Sequence, residues 1–166
     1  MLLLAVLLTA SNNGAGAQTT MPEYGYEVIH IYPHDGAAFT EGLFYLNGFL
    51  YEGTGLPGKS SVRKVSLQTG QVLQKHGLPA PYFGEGIVAW KNRLIELTYT
   101  TQVGFIYNLD SFKAQGEFHY RGEGWSMTQD GKRIIMDDGT PVIRFWDPET
   151  LQQIGQIRVT AKRTAR

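Results

Sequence analysis

The chain reads as a succession of short segments in which apolar side chains alternate with polar ones, cut by turns rich in Gly, Asn and Asp. Such segments are strands, because successive side chains point to opposite faces of a sheet. One motif recurs among them: Glu41-Gly42-Leu43, Glu85-Gly86-Ile87 and Glu123-Gly124-Trp125, spaced 44 and 38 residues apart. Each Glu-Gly opens a hairpin, predicted over 43–45 with 49–52, 87–90 with 93–98, and 125–128 with 133–137. The turns are Asn47-Gly48, Lys91-Asn92 and Asp130-Gly131. Asn-Gly and Asp-Gly are two-residue hairpin signals, since both central positions of a type I′ turn take positive φ. A second hairpin follows in each unit, over 62–67 with 71–76, 104–108 with 115–120, and 142–147 with 153–159. Its turns are Gln68-Thr69-Gly70, Asp110-Ser111 and Pro148-Glu149-Thr150.

Four antiparallel strands in about 40 residues match one blade of a β-propeller, whose first strand lines a central channel. A β-sandwich explains the strands equally well, but not a Glu-Gly at a fixed place in each unit. The predicted fold is therefore all-β and propeller-like, with three units at about residues 39–77, 83–120 and 122–160. Propellers close with about four to eight blades, so three leave the ring open. The segment Tyr26–Tyr32 is expected to be the outer strand of a closing blade.

At the N-terminus, the apolar run Leu2–Leu8 and the small residues Ala15-Gly16-Ala17 read as a signal peptide over 1–17, too short to span a bilayer. The partial propeller then occupies 18–160, and 161–166 is an unpatterned tail. A periplasmic or secreted location follows. Fifteen basic and fifteen acidic residues cancel, so there is no cationic surface of the kind that holds nucleic acid or anionic lipid. With no cysteine, disulfides, zinc fingers and thiol nucleophiles are excluded. His30, His34, His76 and His119 lack metal-ligand spacing and are expected at strand or surface positions. Asp137-Asp138-Gly139 reads as an Asp-Gly turn. No metal and no cofactor is expected.

Blade symmetry would bring Glu41, Glu85 and Glu123 to one channel mouth. Like charges in a confined, partly dry volume raise at least one carboxyl pKa, which makes an acid or base usable near neutral pH. The glycine after each Glu is expected to allow unusual backbone conformations and close approach of a ligand. Phe39, Phe83, Tyr99 and Trp125 flank these positions, giving an apolar pocket with a few polar groups. An alternative stays open: each Glu could staple the backbone amides of a neighbouring blade.

Several segments together carry a family resemblance: Ala38-Phe39-Thr40-Glu41-Gly42-Leu43, Leu50-Tyr51-Glu52-Gly53-Thr54-Gly55, Phe83-Gly84-Glu85-Gly86-Ile87, Gly104-Phe105-Ile106-Tyr107 and Gly122-Glu123-Gly124-Trp125-Ser126-Met127. In this order and spacing they resemble the plant and bacterial type of glutaminyl-peptide cyclotransferase, over about Tyr26 to Thr160. The resemblance implies a five-bladed β-propeller with about three blades present here, and zinc-free conversion of N-terminal glutamine to pyroglutamate with release of ammonia. It makes Glu85 the catalytic acid or base and matches Phe39, Glu41, Phe83, Tyr99 and Trp125 to substrate-binding positions, to which the repeat adds Glu123. Tyr99 stands where the family usually has Trp, and Glu41 where it usually has Gln. The family's later pocket residues, an Asn in Leu-Asn-Glu-Leu and a Trp in a later blade, have no counterpart.

The expected partner is thus a peptide or protein with N-terminal glutamine, with self-association through open blade edges. Competing readings are a non-catalytic secreted binding module and an inactive truncated fragment.

Overall fold

In the computed structural model, residues 24–160 are described. The expected signal peptide and the tail lie outside them. Twelve strands form three four-stranded antiparallel sheets, each ordered as a meander. Blade 1 holds β1 (Thr40–Leu46), β2 (Phe49–Thr54), β3 (Ser61–Ser66) and β4 (Val72–Gly77). Blade 2 holds β5 (Gly84–Trp90), β6 (Arg93–Thr98), β7 (Val103–Asn108) and β8 (Ala114–His119). Blade 3 holds β9 (Ser126–Gln129), β10 (Ile134–Asp137), β11 (Val142–Trp146) and β12 (Gln153–Arg158). The first strands β1, β5 and β9 lie side by side, as expected for strands around one channel.

The strands are where the alternating pattern puts them, with two differences. Tyr26–Tyr32 is not a strand: residues 24–35 join none of the three sheets, and a strand exists only where its backbone finds a ladder. Asp130-Gly131 is not a two-residue turn either. Gln129 pairs with Ile134, leaving a four-residue loop in which the Asp130 carboxylate accepts bonds from the amides of Lys132 and Arg133. Asn47-Gly48 does behave as a type I′ pair, with φ of 50° and 90°.

Blade 2 is covered on both faces, and this explains its near-continuous apolar strands. One face contributes Ile87, Leu94, Tyr107, Leu109 and Phe112 to a cluster with Tyr51 and Val62 of blade 1. The other contributes Val88, Ile95, Leu97 and Tyr120 to a cluster with Ile134, Met136, Trp146 and Leu151 of blade 3. Burying one such side chain contributes about 1.5–3 kcal/mol, so these two interfaces are the main apolar support of the sheets.

The outer hairpins repeat one turn geometry. Gly70, Phe112 and Leu151 have φ of 68°, 54° and 56°, and their amides donate to Ser66, Asn108 and Asp147 carbonyls respectively. In blades 2 and 3 the left-handed position is thus held by a bulky residue, whose burial in an interface cluster offsets the backbone cost.

Candidate active site

A β-bulge places each of the first two acidic residues. Thr40 pairs with Thr54 and Gly42 with Gly53, so Glu41 is an extra residue in β1. Gly84 pairs with Thr98 and Ile87 with Glu96, so Glu85-Gly86 stand opposite Leu97 alone. A bulge interrupts the pleat and re-aims a side chain that regular alternation would send to a sheet face. Both bulges sit at the same end of their blades, and both acidic side chains enter one cavity.

The glycines after the acids serve packing between blades rather than a ligand or a left-handed backbone. A Cβ on Gly42 would lie 2.7 Å from the Ile87 nitrogen and 3.0 Å from the Glu85 carbonyl oxygen. On Gly86 it would lie 2.6 Å from Ser126 Cα and the Trp125 carbonyl, and on Gly124 2.6 Å from the Thr98 carbonyl. None of the three has positive φ. The staple between blades is made by backbone, since the Gly86 amide donates to the Trp125 carbonyl at 2.9 Å. The Gly124 amide makes a second such bond, to the Tyr99 carbonyl, while the bonds from Gly55 to Phe39 and from Tyr99 to Phe83 extend the inner hairpins of blades 1 and 2.

The cavity has a volume of about 440 Å³ and is lined by Phe39, Glu41, Phe83, Glu85, Tyr99, Trp125, Ser126 and Asp137. Six of the seven residues expected from the sequence therefore converge. The seventh, Glu123, is not in the lining: its Oε2 accepts a 2.8 Å bond from Trp125 Nε1 and so fixes the indole. Phe83 stands edge-on to Phe39 at 6.0 Å between centroids and tilts toward Tyr99 at 6.1 Å. Gly55 and Gly139 provide the flat backbone on which the Phe83 and Trp125 rings rest.

Glu85 is 9% exposed at the cavity floor. Burial, then the charge of Glu41, a hydrogen bond with Glu41 and the charge of Glu123 push its pKa up to about 8. At neutral pH it carries a proton that it gives up at modest cost. The walls are largely apolar, so charges at the floor are weakly screened.

Ser126 and Asp137 were not singled out by the sequence reasoning. Ser126 lay in a quoted segment, directly after Trp125, and Asp137 was absorbed into the Asp-Gly turn, which does form: its Oδ1 accepts the Gly139 amide at 2.8 Å. A second acidic repeat was also missed. Glu52, Glu96 and Asp138 are all buried at or just past the second strand of their blades. Glu52 accepts bonds from Thr40 Oγ1 at 2.5 Å and His34 Nε2 at 2.8 Å, with Arg63 at 3.8 Å. Asp138 pairs with Arg144. Glu96 has only the Tyr107 hydroxyl, at 3.0 Å, and burial pushes its pKa up to about 8. The Glu52 network bears on the site, because Thr40 lies between Phe39 and Glu41 and is tied down from behind. His34 is exposed, as expected, and is also a partner of a buried acid.

Among the described residues no group of three or more His, Cys, Asp or Glu is arranged to hold a metal ion.

Comparison with known proteins agrees with this fold. The family profile described as glutamine cyclotransferase matches residues 1–166. The chain is 42% identical over 128 residues to the glutaminyl-peptide cyclotransferase of Arabidopsis thaliana, covering 76% of this chain and 40% of that protein. The crystal structure of Myxococcus xanthus glutaminyl cyclase superposes with a TM-score of 0.73 at 28% identity, over 81% of this chain and 56% of that one. The chain therefore spans about half or less of the length of these relatives. The Pan2 WD40 domain of Neurospora crassa shares the fold alone, with a TM-score of 0.60 at 7% identity over 72% of this chain and 36% of that domain. The bulged acids, the aromatic walls and the blade order thus sit in a fold and a sequence that agree with one another, and the chain belongs to the glutamine cyclotransferase family.

Proposed function

We propose that this chain carries the catalytic floor of a glutaminyl-peptide cyclotransferase, with Glu85 as the acid–base residue. The observation that carries the reading is a single buried carboxyl with its pKa near 8 at the bottom of an aromatic cavity. In this reaction the α-amine of an N-terminal glutamine attacks its own γ-carboxamide. A five-membered lactam forms and ammonia leaves. The reacting atoms belong to one residue, so the enzyme holds a folded near-attack conformer and moves a proton from the amine to the departing nitrogen. Phe39, Phe83, Tyr99 and Trp125 are suited to clamp the side chain and exclude water. Glu123 holds Trp125 in place. A group with a pKa close to working pH is the efficient proton carrier. The reaction needs no metal, and the whole protein works in a periplasm or outside the cell, a reading supported by the leader expected at 1–17.

The test is ammonia release from a peptide with N-terminal glutamine, with and without a chelator, comparing wild type with Glu85→Gln. The substitution keeps volume and removes proton transfer, so a loss of roughly 10²–10⁴-fold in kcat is expected with the fold unchanged. Near wild-type turnover in the folded variant would reject Glu85 as acid–base residue.

A further inference from the structure

We propose that Tyr120 is a positioning residue for the reaction: its hydroxyl clamps both main-chain groups of Thr98 and so holds the Glu85 bulge and the Trp125 wall at a fixed spacing. The proposal rests on the cyclotransferase reading above. Tyr120 directly follows β8 and is 8% exposed, with its ring centroid 5.8 Å from that of Trp146 in the cluster between blades 2 and 3. Its hydroxyl accepts a bond from the Thr98 amide at 3.1 Å and donates to the Thr98 carbonyl.

Thr98 needs such a partner. It is the last residue of β6 and is fully buried. On the β5 side the ladder bond runs from the Tyr99 amide to the Phe83 carbonyl at 2.9 Å, so by strand alternation the main-chain groups of Thr98 point the other way. There the pairing with β7 stops one residue earlier, at Leu97 with Gly104. A buried N–H and C=O beyond the end of a ladder require other partners, and a phenol offers one donor and one acceptor.

Thr98 and Tyr99 form the junction of the cavity floor. Thr98 pairs with Gly84, the residue before Glu85. The Tyr99 amide holds Phe83, and the Tyr99 carbonyl accepts the Gly124 amide at 2.8 Å, next to Trp125. Phe83, Glu85, Tyr99 and Trp125 all line the cavity, whereas Tyr120 is outside the lining and acts through the main chain. Gly124 leaves room for the clamp: a Cβ there would overlap the Tyr120 hydroxyl and lie 2.6 Å from the Thr98 carbonyl oxygen. The other two blades show that the blade fold does not itself demand the hydroxyl. Leu78, Tyr120 and Val159 hold the same place, each directly after its fourth strand and each donating its amide to the residue before the third strand, Ser60, Gln102 and Pro141 respectively. Of the three, only Tyr120, in the blade that carries Glu85, bears a hydroxyl. Without it the two main-chain groups of Thr98 lose their partner and the junction shifts, and a displacement of about 1 Å at reacting groups can cost roughly 10²-fold in rate.

The experiment compares the full chain as wild type, Tyr120→Phe and Ile134→Val, the last a packing control from the same cluster. Tyr120→Phe keeps the ring and is expected to fold, as blades 1 and 3 do with Leu78 and Val159 at this place. With a glutaminyl peptide its kcat is expected to fall roughly 10- to 100-fold while KM changes less than about threefold. Ile134→Val, destabilised in denaturant melts, is expected to keep the wild-type kcat. Amide hydrogen exchange gives a readout independent of turnover. In wild type the Thr98, Tyr99 and Gly124 amides should exchange as slowly as those of Leu94 and Ile95 within β6, and in Tyr120→Phe these three should quicken about 10-fold or more relative to Leu94 and Ile95. Fast exchange at Thr98 in wild type, or an unchanged kcat in Tyr120→Phe, would overturn the proposal. Equal losses of kcat in Tyr120→Phe and Ile134→Val would overturn it as well, since packing alone would then explain both. If wild type released no ammonia, the cyclotransferase reading would fail, while exchange at Thr98, Tyr99 and Gly124 would still decide whether the clamp holds the floor.

Discussion

Glu96 shows how much one residue's surroundings decide. Its neighbours in the acidic repeat, Glu52 and Asp138, have guanidinium partners, whereas Glu96 is fully buried against a phenol and its pKa rises to about 8. A carboxyl whose folded pKa exceeds its unfolded value binds more protons when folded, so its contribution to stability is present at low pH and is lost as pH rises through the folded value. The window runs from about 4.5 to about 8, and Glu85 acts in the same direction over the same range. Glu96→Gln keeps the shape and an acceptor for Tyr107 without the ionisation. The expected result is a Tm that falls less between about pH 5 and pH 8 than in wild type, measured by thermal melts across that range. A parallel decline in both proteins would show that Glu96 is not the group being titrated.

Among the elements, the bulged innermost strands decide most. A regular β5 would send Glu85 to one face of its blade. The extra residue turns the carboxyl to the channel mouth, and the glycine beside it lets the neighbouring blade touch the backbone. Gly86→Ala is therefore expected to push β5 away from Trp125 and Ser126, weakening the Gly86–Trp125 bond. Overpacking of this kind costs about 1–3 kcal/mol. Denaturant melts would measure this, and ligand affinity should fall with stability because the Trp125 wall shifts. In contrast, Gly48→Ala affects only an open turn, where a Cβ meets nothing but φ is 90°, so its cost is conformational and local.

At the scale of the molecule, the two interfaces around blade 2 are packed, while apolar side chains elsewhere face solvent. Leu43 and Tyr45 of β1 are 55% and 60% exposed, and Ile154 and Ile157 of β12 are 61% and 51% exposed. Exposed apolar residues on strands with unpaired edges promote association. The chain as given is expected to show an apparent mass that rises with concentration in light scattering after size exclusion, and Tyr45→Lys should reduce it. A monodisperse monomer at every concentration would show that these surfaces are inert.

Strand positions, the three-unit repeat and the acids with their aromatic neighbours were legible in the sequence, because alternation and hairpin turns are local properties. Family membership was legible in the same segments. Three features were not, and each depends on contacts between segments distant in the chain. The role of the Glu-Gly glycines appears only when the next blade's backbone lies against them, as Trp125 and Ser126 lie against Gly86. The left-handed Phe112 and Leu151 are tolerated only because the blade interfaces bury them. The meeting of Glu41 and Glu85 in one cavity needs bulges on two separate blades, and no pattern along one strand records where its neighbour's extra residue falls. Periodicity thus specified the strands, and the packing of one sheet on the next decided which side chains reached the cavity and how they hold their protons.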